Sequence, residues 1–216
     1  MIQIEKNLPV KVGCLIVEDI RVTKDITPYS HLLETAQKYR ESYSDYSPGK
    51  VPGTEEARLL FKAIGLDPTK RRPASESLLR RAIKNKKFFK INTLVDIGNW
   101  CSLEFLLPIC VYDFDQITGS VKILKGSKDR AYPALNGELI NFENRFVLID
   151  DKGAFGSPMT DSRRTAIKLG TTTTFAIIYA HSRYPDGKMQ KHLKFLSERI
   201  IKYCDGELKY KSIFRN

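Results

Sequence analysis

The chain has few residues of the kinds that build metal sites and disulfides. It contains four cysteines and three histidines. Cys14, Cys101, Cys110 and Cys204 are widely separated and form no Cys-x-x-Cys pair, so a zinc site or a disulfide framework is not expected. No apolar run approaches a membrane span, and residues 1–6 contain no basic stretch that leads into an apolar run. The sequence predicts a cytoplasmic protein with no metal, no cofactor and no membrane partner.

Basic residues outnumber acidic ones. The 216 residues include 36 Lys and Arg against 25 Asp and Glu, which gives a formal net charge of +11 and a pI near 9.4. Such a balance favours polyanionic partners through phosphate contacts and counterion release, although many basic proteins bind no nucleic acid. With 42% hydrophobic and 10% aromatic residues, the composition is that of a folded globular protein, and residues 1–216 are predicted to form one domain.

Apolar residues recur at helical spacing in the first half of the chain and again near its end. Thr27-Pro28 and Thr54 supply start signals for two helices, and Gly65 and Gly206 supply stop signals. The patterns predict helices over 27–43, 54–65, 74–83, 93–105 and about 187–204.

Short β-branched or apolar runs, separated by turn residues, dominate the second half. Together with one early run they predict strands over 13–22, 109–114, 121–124, 145–149 and 175–180. Helices followed by strands and a closing helix indicate an α+β fold.

The densest positive stretch runs from Lys70 to Lys90, with nine basic residues against the single acid Glu76. One interpretation is a solvated helix face, which is the ordinary role of a charge run. The other is a ridge that binds RNA phosphates, with Phe88 and Phe89 packed inward. The residues predicted to contact RNA in this stretch are Arg71, Arg72, Arg80, Arg81, Lys84 and Lys87.

Asn92, Asp96 and Asn99 are spaced by four and three residues, so a helix here presents all three on one face. Buried Asn and Asp side chains need hydrogen-bond partners, and a structural network at the helix is therefore one interpretation. Direct contact with a substrate is the other.

Three linked segments carry a resemblance to a known family. Residues 72–81, 92–100 and 107–113 are similar in order and spacing to the editing domain of the phenylalanyl-tRNA synthetase beta subunit and to its free-standing relatives. Residues 153–157 resemble, more weakly, the glycine-rich loop of the same domain. The resemblance covers about residues 13–180 and implies an α+β fold with β-sandwich-like mixed sheets and helices packed on one side.

The resemblance further implies a pocket that accepts an amino acid attached to the end of tRNA and hydrolyses the ester when the amino acid is wrong. Backbone donors of the glycine loop would stabilise the oxyanion, although these glycines also suit an ordinary turn. The residues assigned to this pocket are Asn92, Asp96, Asn99, Pro108, Cys110, Val111, Gly153, Gly156, Ser157 and Tyr179.

The chain also departs from the family pattern. Cys110 stands where the family has a histidine, and Gly98 where it has a threonine. The strand over 175–179 has no clear counterpart of the pocket glutamate. Cys110 is either a nucleophile or buried packing. These departures imply altered specificity or lost hydrolysis, and no catalytic residue is assigned.

A polar turn follows the glycine loop. Residues 161–165 resemble the family's Ser-x-x-Thr turn, which would touch the terminal ribose or phosphate, but a plain turn capped by Asp161 explains the pattern equally well. Arg163 and Arg164 of this turn are added to the predicted tRNA contacts.

Three functional hypotheses follow. The first is a free-standing aminoacyl-tRNA deacylase, with tRNA as partner and its amino-acid moiety as ligand. The second is a tRNA-binding or amino-acid-binding module without catalysis, and the third is a small-molecule hydrolase on the same scaffold. A complete synthetase is not expected, because no ATP-binding signature is present. The pattern does not predict the oligomeric state.

Overall fold

A computed structural model describes residues 2–143 and 145–216, and its helices lie close to the predicted ones. The second helix ends at Ala63 rather than at Gly65, which takes a positive φ of 79° just beyond it. Among the described helices, none is both long and apolar enough to cross a bilayer. They are α1 (Thr27–Tyr43), α2 (Thr54–Ala63), α3 (Ala74–Ile83), α4 (Thr93–Phe105) and α5 (Asp186–Cys204).

The strands form two four-stranded sheets and a separate hairpin. In chain order they are β1 (Ile2–Ile4), β2 (Val10–Glu18), β3 (Ile109–Asp113), β4 (Val121–Lys125), β5 (Ala131–Pro133), β6 (Leu139–Asn141), β7 (Phe146–Asp150), β8 (Gly153–Gly156), β9 (Thr174–His181) and β10 (Glu207–Arg215). The larger sheet has the order β10-β2-β9-β3 and is antiparallel throughout. The smaller sheet has the order β1-β4-β7-β8, in which only the β1–β4 pair is parallel.

The larger sheet is covered on both faces, and alternate residues of each strand point to opposite sides. In β9, Ala176 and Ile178 face the helices α4 and α5. Phe175, Ile177 and Tyr179 face the smaller sheet. The two sheets therefore form a sandwich with α4 and α5 on the outer side of the larger sheet, and α2 contributes Leu60 and Phe61 to the cluster between the sheets. This arrangement confirms the predicted α+β class.

A second helical layer completes the outer side. Leu32 of α1, Leu79 and Ile83 of α3 and Leu103 of α4 are buried in a cluster of their own. This cluster attaches α1 and α3 to α4, which in turn packs against the larger sheet. The basic segment predicted to bind RNA thus lies in the helical layer and not between the sheets.

The strand predicted over 13–22 is displaced towards the N-terminus and spans Val10–Glu18. Asp19 takes a positive φ of 55°, after which the Ile20 amide donates to the Thr172 carbonyl outside the ladder. The strands β1, β5, β6, β8 and β10 were not predicted, and β8 occupies most of the predicted glycine loop. β10 follows Gly206 and pairs along β2 as an edge strand, with most of its residues at least partly exposed, so its sequence lacks an apolar run.

Candidate functional site

Two of the predicted pocket residues build the N-terminus of α4. The Asn92 side chain accepts a hydrogen bond from the Val95 amide at 3.0 Å, and Asp96 Oδ1 accepts one from the Ile91 amide at 3.2 Å. These bonds satisfy backbone donors at the helix start, as an N-cap does. Asn99, further along α4, is half-buried. The bonds of Asn92 and Asp96 support the structural network, although Asp96 Oδ2 is buried and has no hydrogen-bond partner among the described residues.

The residues of β3 divide between the two faces of the larger sheet. Val111 packs towards α4, where a Cβ on Gly98 would lie 3.5 Å from it. Cys110 points to the opposite face. Its thiol donates a hydrogen bond to the Ser157 carbonyl oxygen at 3.3 Å. The Pro108 carbonyl accepts a hydrogen bond from the Tyr179 amide at 2.9 Å. The sheet itself therefore separates Val111, Asn92 and Asp96 from Cys110.

The loop after β8 lies opposite Cys110. Gly156 forms an isolated bridge with Asp161, so residues 156–161 make a tight turn. The Ser157 hydroxyl donates a hydrogen bond to the Thr160 carbonyl oxygen at 3.0 Å. It also accepts one from the Thr160 amide at 3.2 Å. The Ser157 hydroxyl thus holds the turn. Gly153, at the start of β8, has a φ of 112° and lies at the β7–β8 connection.

Gly156 is required by its neighbour Tyr112 on β3. A Cβ at this position would overlap the Tyr112 hydroxyl, so only glycine lets the phenol approach the loop backbone. The Tyr112 ring also packs edge-on against Phe155, with ring centroids 5.2 Å apart. A tyrosine side chain therefore fills the space between Cys110 and the glycine loop.

Six polar side chains meet between the two sheets, and we call them the Tyr112 cluster. They belong to Cys110, Tyr112, Tyr132, Ser157, Asp161 and Tyr179. Within the described protein, the Tyr112 hydroxyl, the Tyr179 hydroxyl and Asp161 Oδ1 are buried and have no hydrogen-bond partner. An unsatisfied buried polar group costs about 1–3 kcal/mol, so three in one place are an unusual concentration.

Burial sets the protonation of the cluster. It raises the pKa of the Asp161 carboxyl to about 6. The Tyr112 hydroxyl and the Cys110 thiol lie close enough to lower that pKa, but neither makes a hydrogen bond of normal geometry with the carboxylate. Burial also raises the pKa of the Cys110 thiol well above its usual value. The thiol is therefore protonated at neutral pH, a state that suits packing and not nucleophilic attack.

Two of the predicted RNA contacts are engaged in ion pairs. Arg72 Nε lies 3.2 Å from the buried carboxylate of Glu76, which also binds Arg58 at 2.7 Å. Arg164 binds both oxygens of Asp150 at 2.9 Å, and the Asp150 side chain is fully buried. These two arginines hold structure together. Arg71, Arg80, Lys84, Lys87 and Arg163 are exposed.

The turn over 161–165 is closed by its own hydroxyls. Ser162 Oγ lies 3.1 Å from Thr165 Oγ1, and both residues are buried. Arg163 and Tyr132 line an open groove of about 480 Å³ beside this turn, together with Gly153. The Ser162 and Thr165 hydroxyls bond to each other, as in a plain turn. Arg163 faces the groove and is accessible.

A family model, the B3/4 domain, matches residues 56–205. The chain belongs to this family. The match runs from the first turn of α2 to the end of α5 and includes every member of the Tyr112 cluster. It supports the resemblance to the synthetase beta subunit that residues 72–113 indicate.

Curated relatives of this B3/4 chain are phenylalanine–tRNA ligase beta subunits. The Ralstonia nicotianae subunit is 26% identical over 175 residues, which are 79% of this chain and 21% of the subunit. The subunit of Neisseria meningitidis serogroup A is 29% identical over 100 residues, which are 45% of this chain and 13% of the subunit. The chain thus spans about a fifth or less of the length of these relatives.

A solved structure has the same fold. It is an N-terminal fragment of the phenylalanyl-tRNA synthetase beta subunit from Pyrococcus horikoshii, with a TM-score of 0.52 and 13% identity. The match covers the whole of this chain and 55% of the fragment. At this identity the likeness concerns the fold alone.

Sequence reasoning missed part of the B3/4 site. Tyr112 follows Cys110 by two residues on β3, so strand alternation was a signal that both side chains face the same way. Tyr132 comes from the separate β5–β6 hairpin, and no local pattern links it to Cys110. The described residues contain no group of three or more His, Cys, Asp or Glu that is arranged to hold a metal ion.

Proposed function

We propose that this B3/4 chain binds the aminoacyl end of tRNA, with the Tyr112 cluster as the site for the aminoacyl group. The observation that carries the proposal is the group of three unpartnered buried atoms at Tyr112, Tyr179 and Asp161. Two phenol hydroxyls can donate or accept, and a carboxylate accepts. Such a set suits an ester carbonyl together with an α-ammonium group.

The polynucleotide would contact the exposed cations. Arg71, Arg80, Lys84, Lys87 and Arg163 are accessible, and their binding to phosphates releases counterions. The net charge of +11 acts in the same direction. The names of the curated relatives, which are tRNA ligase subunits, support tRNA as the polyanion. We place this activity in the cytoplasm as part of the proposal.

Entry of a ligand requires Tyr112 or Tyr179 to move, since both side chains are fully buried. The loop over 156–161 is the element that would give way, because β3 and β9 are paired with each other in the larger sheet. The loop is held by Ser157 and by Tyr132, whose hydroxyl donates to the Thr160 carbonyl at 2.6 Å.

Hydrolysis of the aminoacyl ester is a second candidate, and Asp161 is the observation that favours it. A carboxylate with a pKa of about 6 is a suitable general base near neutral pH. It would take a proton from water as the water oxygen bonds to the ester carbonyl carbon. The carbon–oxygen bond to the ribose would then break, and the proton would pass to the ribose hydroxyl. The Tyr112 hydroxyl would stabilise the oxyanion.

Filter binding and ester release on the same samples test both activities. The purified chain is incubated with phenylalanine tRNA charged with tyrosine, with the correctly charged tRNA and with uncharged tRNA. Tighter binding of charged tRNA supports the proposal, and equal binding of all three overturns it. Release of tyrosine above the buffer rate, lost in Asp161→Asn, assigns hydrolysis. Binding without release assigns the non-catalytic module.

A further inference from the structure

The segment over 84–91, which we call the Phe89 loop, follows α3 and carries two adjacent phenylalanines. The interpretation of this stretch as an RNA-binding ridge placed both of them inward. Phe88 does so and is 6% exposed, but Phe89 is 60% exposed. That placement is wrong for Phe89, which lies in a segment without regular secondary structure.

Hydrogen bonds to two successive carbonyls fix the backbone of the Phe89 loop. The Tyr29 hydroxyl donates to the Phe88 carbonyl at 3.0 Å, and Arg81 Nη1 donates to the Lys87 carbonyl at 2.9 Å. Arg40 also binds the Asn85 side chain. With Phe88 buried and its neighbour's carbonyl held, the Phe89 ring is directed into solvent by the rest of the fold.

The surroundings of the ring are cationic. The Arg81 guanidinium lies 5.4 Å from the centroid of the Phe89 ring. Lys84, Lys86 and Lys87, within five residues of Phe89 in the sequence, are exposed, and none of them lies within 4.0 Å of a carboxylate oxygen among the described residues. An exposed aromatic ring among uncompensated cations is the combination that binds single-stranded nucleic acid, because bases stack on the ring and phosphates meet the lysines.

We propose that the Phe89 loop is a stacking platform for an unpaired base of RNA, with Lys84, Lys86 and Lys87 on the flanking phosphates. The inference rests on the proposed function for its choice of RNA as the polyanion. It adds a site in the helical layer, away from the Tyr112 cluster, and a preference for single strands. A base inside a duplex is already stacked on both faces and cannot use the ring.

Fluorescence anisotropy with two labelled RNAs tests this site in the full chain. One probe is a single-stranded 12-mer, and the other is a blunt duplex of six base pairs with about the same number of phosphates. Phe89→Ala is expected to weaken binding of the single strand roughly 10-fold or more and to change binding of the duplex less than about 2-fold. Phe89→Trp is expected to retain single-strand affinity, with indole emission that the RNA quenches.

The matched control is Leu139→Ala, which removes an exposed apolar side chain from β6 and is expected to change neither affinity. Equal affinity of Phe89→Ala and the parent chain for the single strand overturns the inference, as does an equal loss for both RNAs. Binding to vesicles of phosphatidylserine that depends on Phe89, with RNA binding unchanged, would assign the loop to a lipid surface and also overturns it.

Comparison of charged with uncharged tRNA separates this inference from the proposed function. If charged and uncharged tRNA bind equally while Phe89→Ala still loses the single strand, only the aminoacyl proposal fails. If charged tRNA is preferred and Phe89→Ala changes nothing, only the Phe89 loop proposal fails.

Discussion

Tyr112 is the residue at which several requirements of this fold meet. Its ring fills the space beside Phe155 and Phe175, and its hydroxyl lies against Gly156, where no side chain would fit. The ring is ordinary core packing, but the hydroxyl is buried without a partner. Stability alone would favour phenylalanine here, so the hydroxyl is the part of the residue that calls for a functional explanation.

Tyr112→Phe is expected to stabilise the protein and to weaken its binding of charged tRNA. Removal of an unsatisfied buried hydroxyl should raise the free energy of unfolding by about 1 kcal/mol. Urea unfolding followed by Trp100 fluorescence measures the first effect, and filter binding measures the second. Tyr29→Phe serves as control, because its hydroxyl is paired with the Phe88 carbonyl and its loss should destabilise. A stabilised variant with unchanged tRNA binding would contradict the role of the hydroxyl.

Asp161 should make the protein less stable as the pH rises. Its pKa is raised from 3.8 to about 6, so the folded chain holds the proton more tightly than the unfolded chain does. The folded state is therefore favoured below about pH 4, and this advantage is lost between pH 4 and pH 6. Asp161→Asn removes the titration.

The stability of Asp161→Asn relative to the parent chain should consequently increase from pH 4 to pH 7. Urea unfolding at several pH values measures it. Asp96 also has a pKa raised by burial to about 6, so the comparison uses the difference between the two proteins and not the parent curve alone. A difference that is constant with pH would show that Asp161 titrates normally.

At the scale of elements, α4 shows what local sequence can predict. Its limits of Thr93 and Phe105 agree with the predicted ones, and the structure shows that the Asn92 side chain caps its first turn. β10 shows the opposite case. It gains its backbone partners from β2, about two hundred residues away in sequence, and keeps many side chains in water, so no local apolar pattern marks it.

The candidate site also has a part that the sequence predicted and a part that it did not. The motif around Cys110 and the glycine loop predicted two sides of the space between the sheets. It did not predict that Tyr112 fills this space, or that Tyr132 reaches it from a separate hairpin. It also grouped Asn92 with Cys110, although the larger sheet lies between them. Proximity in sequence identified the elements, and only the packing of the sheets assigned each side chain to a face.

Asn92→Ala tests the structural role of the α4 cap. Loss of the hydrogen bond to the Val95 amide should lower the free energy of unfolding by about 1 kcal/mol, within a range of about 0.5–2 kcal/mol. Asn92→Asp keeps an acceptor at the cap and should recover most of the loss. If Asn92→Ala instead left stability unchanged and reduced binding of charged tRNA, direct substrate contact would be the correct interpretation.

At the scale of the whole molecule, some basic side chains form ion pairs and others are exposed without one. Arg72 and Arg164 are held by buried carboxylates, whereas Lys84 and Lys87 extend from the end of α3 and the loop after it into solvent. A net charge of +11 raises non-specific attraction for any polyanion, so affinity alone does not locate an RNA surface. The salt dependence of binding can locate the RNA surface, because its slope reports how many phosphates particular cations neutralise.

Substitution of Lys84 and Lys87 by alanine should reduce the slope of log affinity against log salt by about 1.4–1.8, since each phosphate contact contributes roughly 0.7–0.9. The matched control is Lys188→Ala with Lys191→Ala on α5, which removes the same charge from exposed positions elsewhere. Anisotropy titrations with uncharged tRNA at several salt concentrations give both slopes. Equal changes in the two variants would mean that tRNA responds to net charge alone. A larger change in the Lys84 and Lys87 variant assigns the RNA surface to the end of α3 and the loop after it.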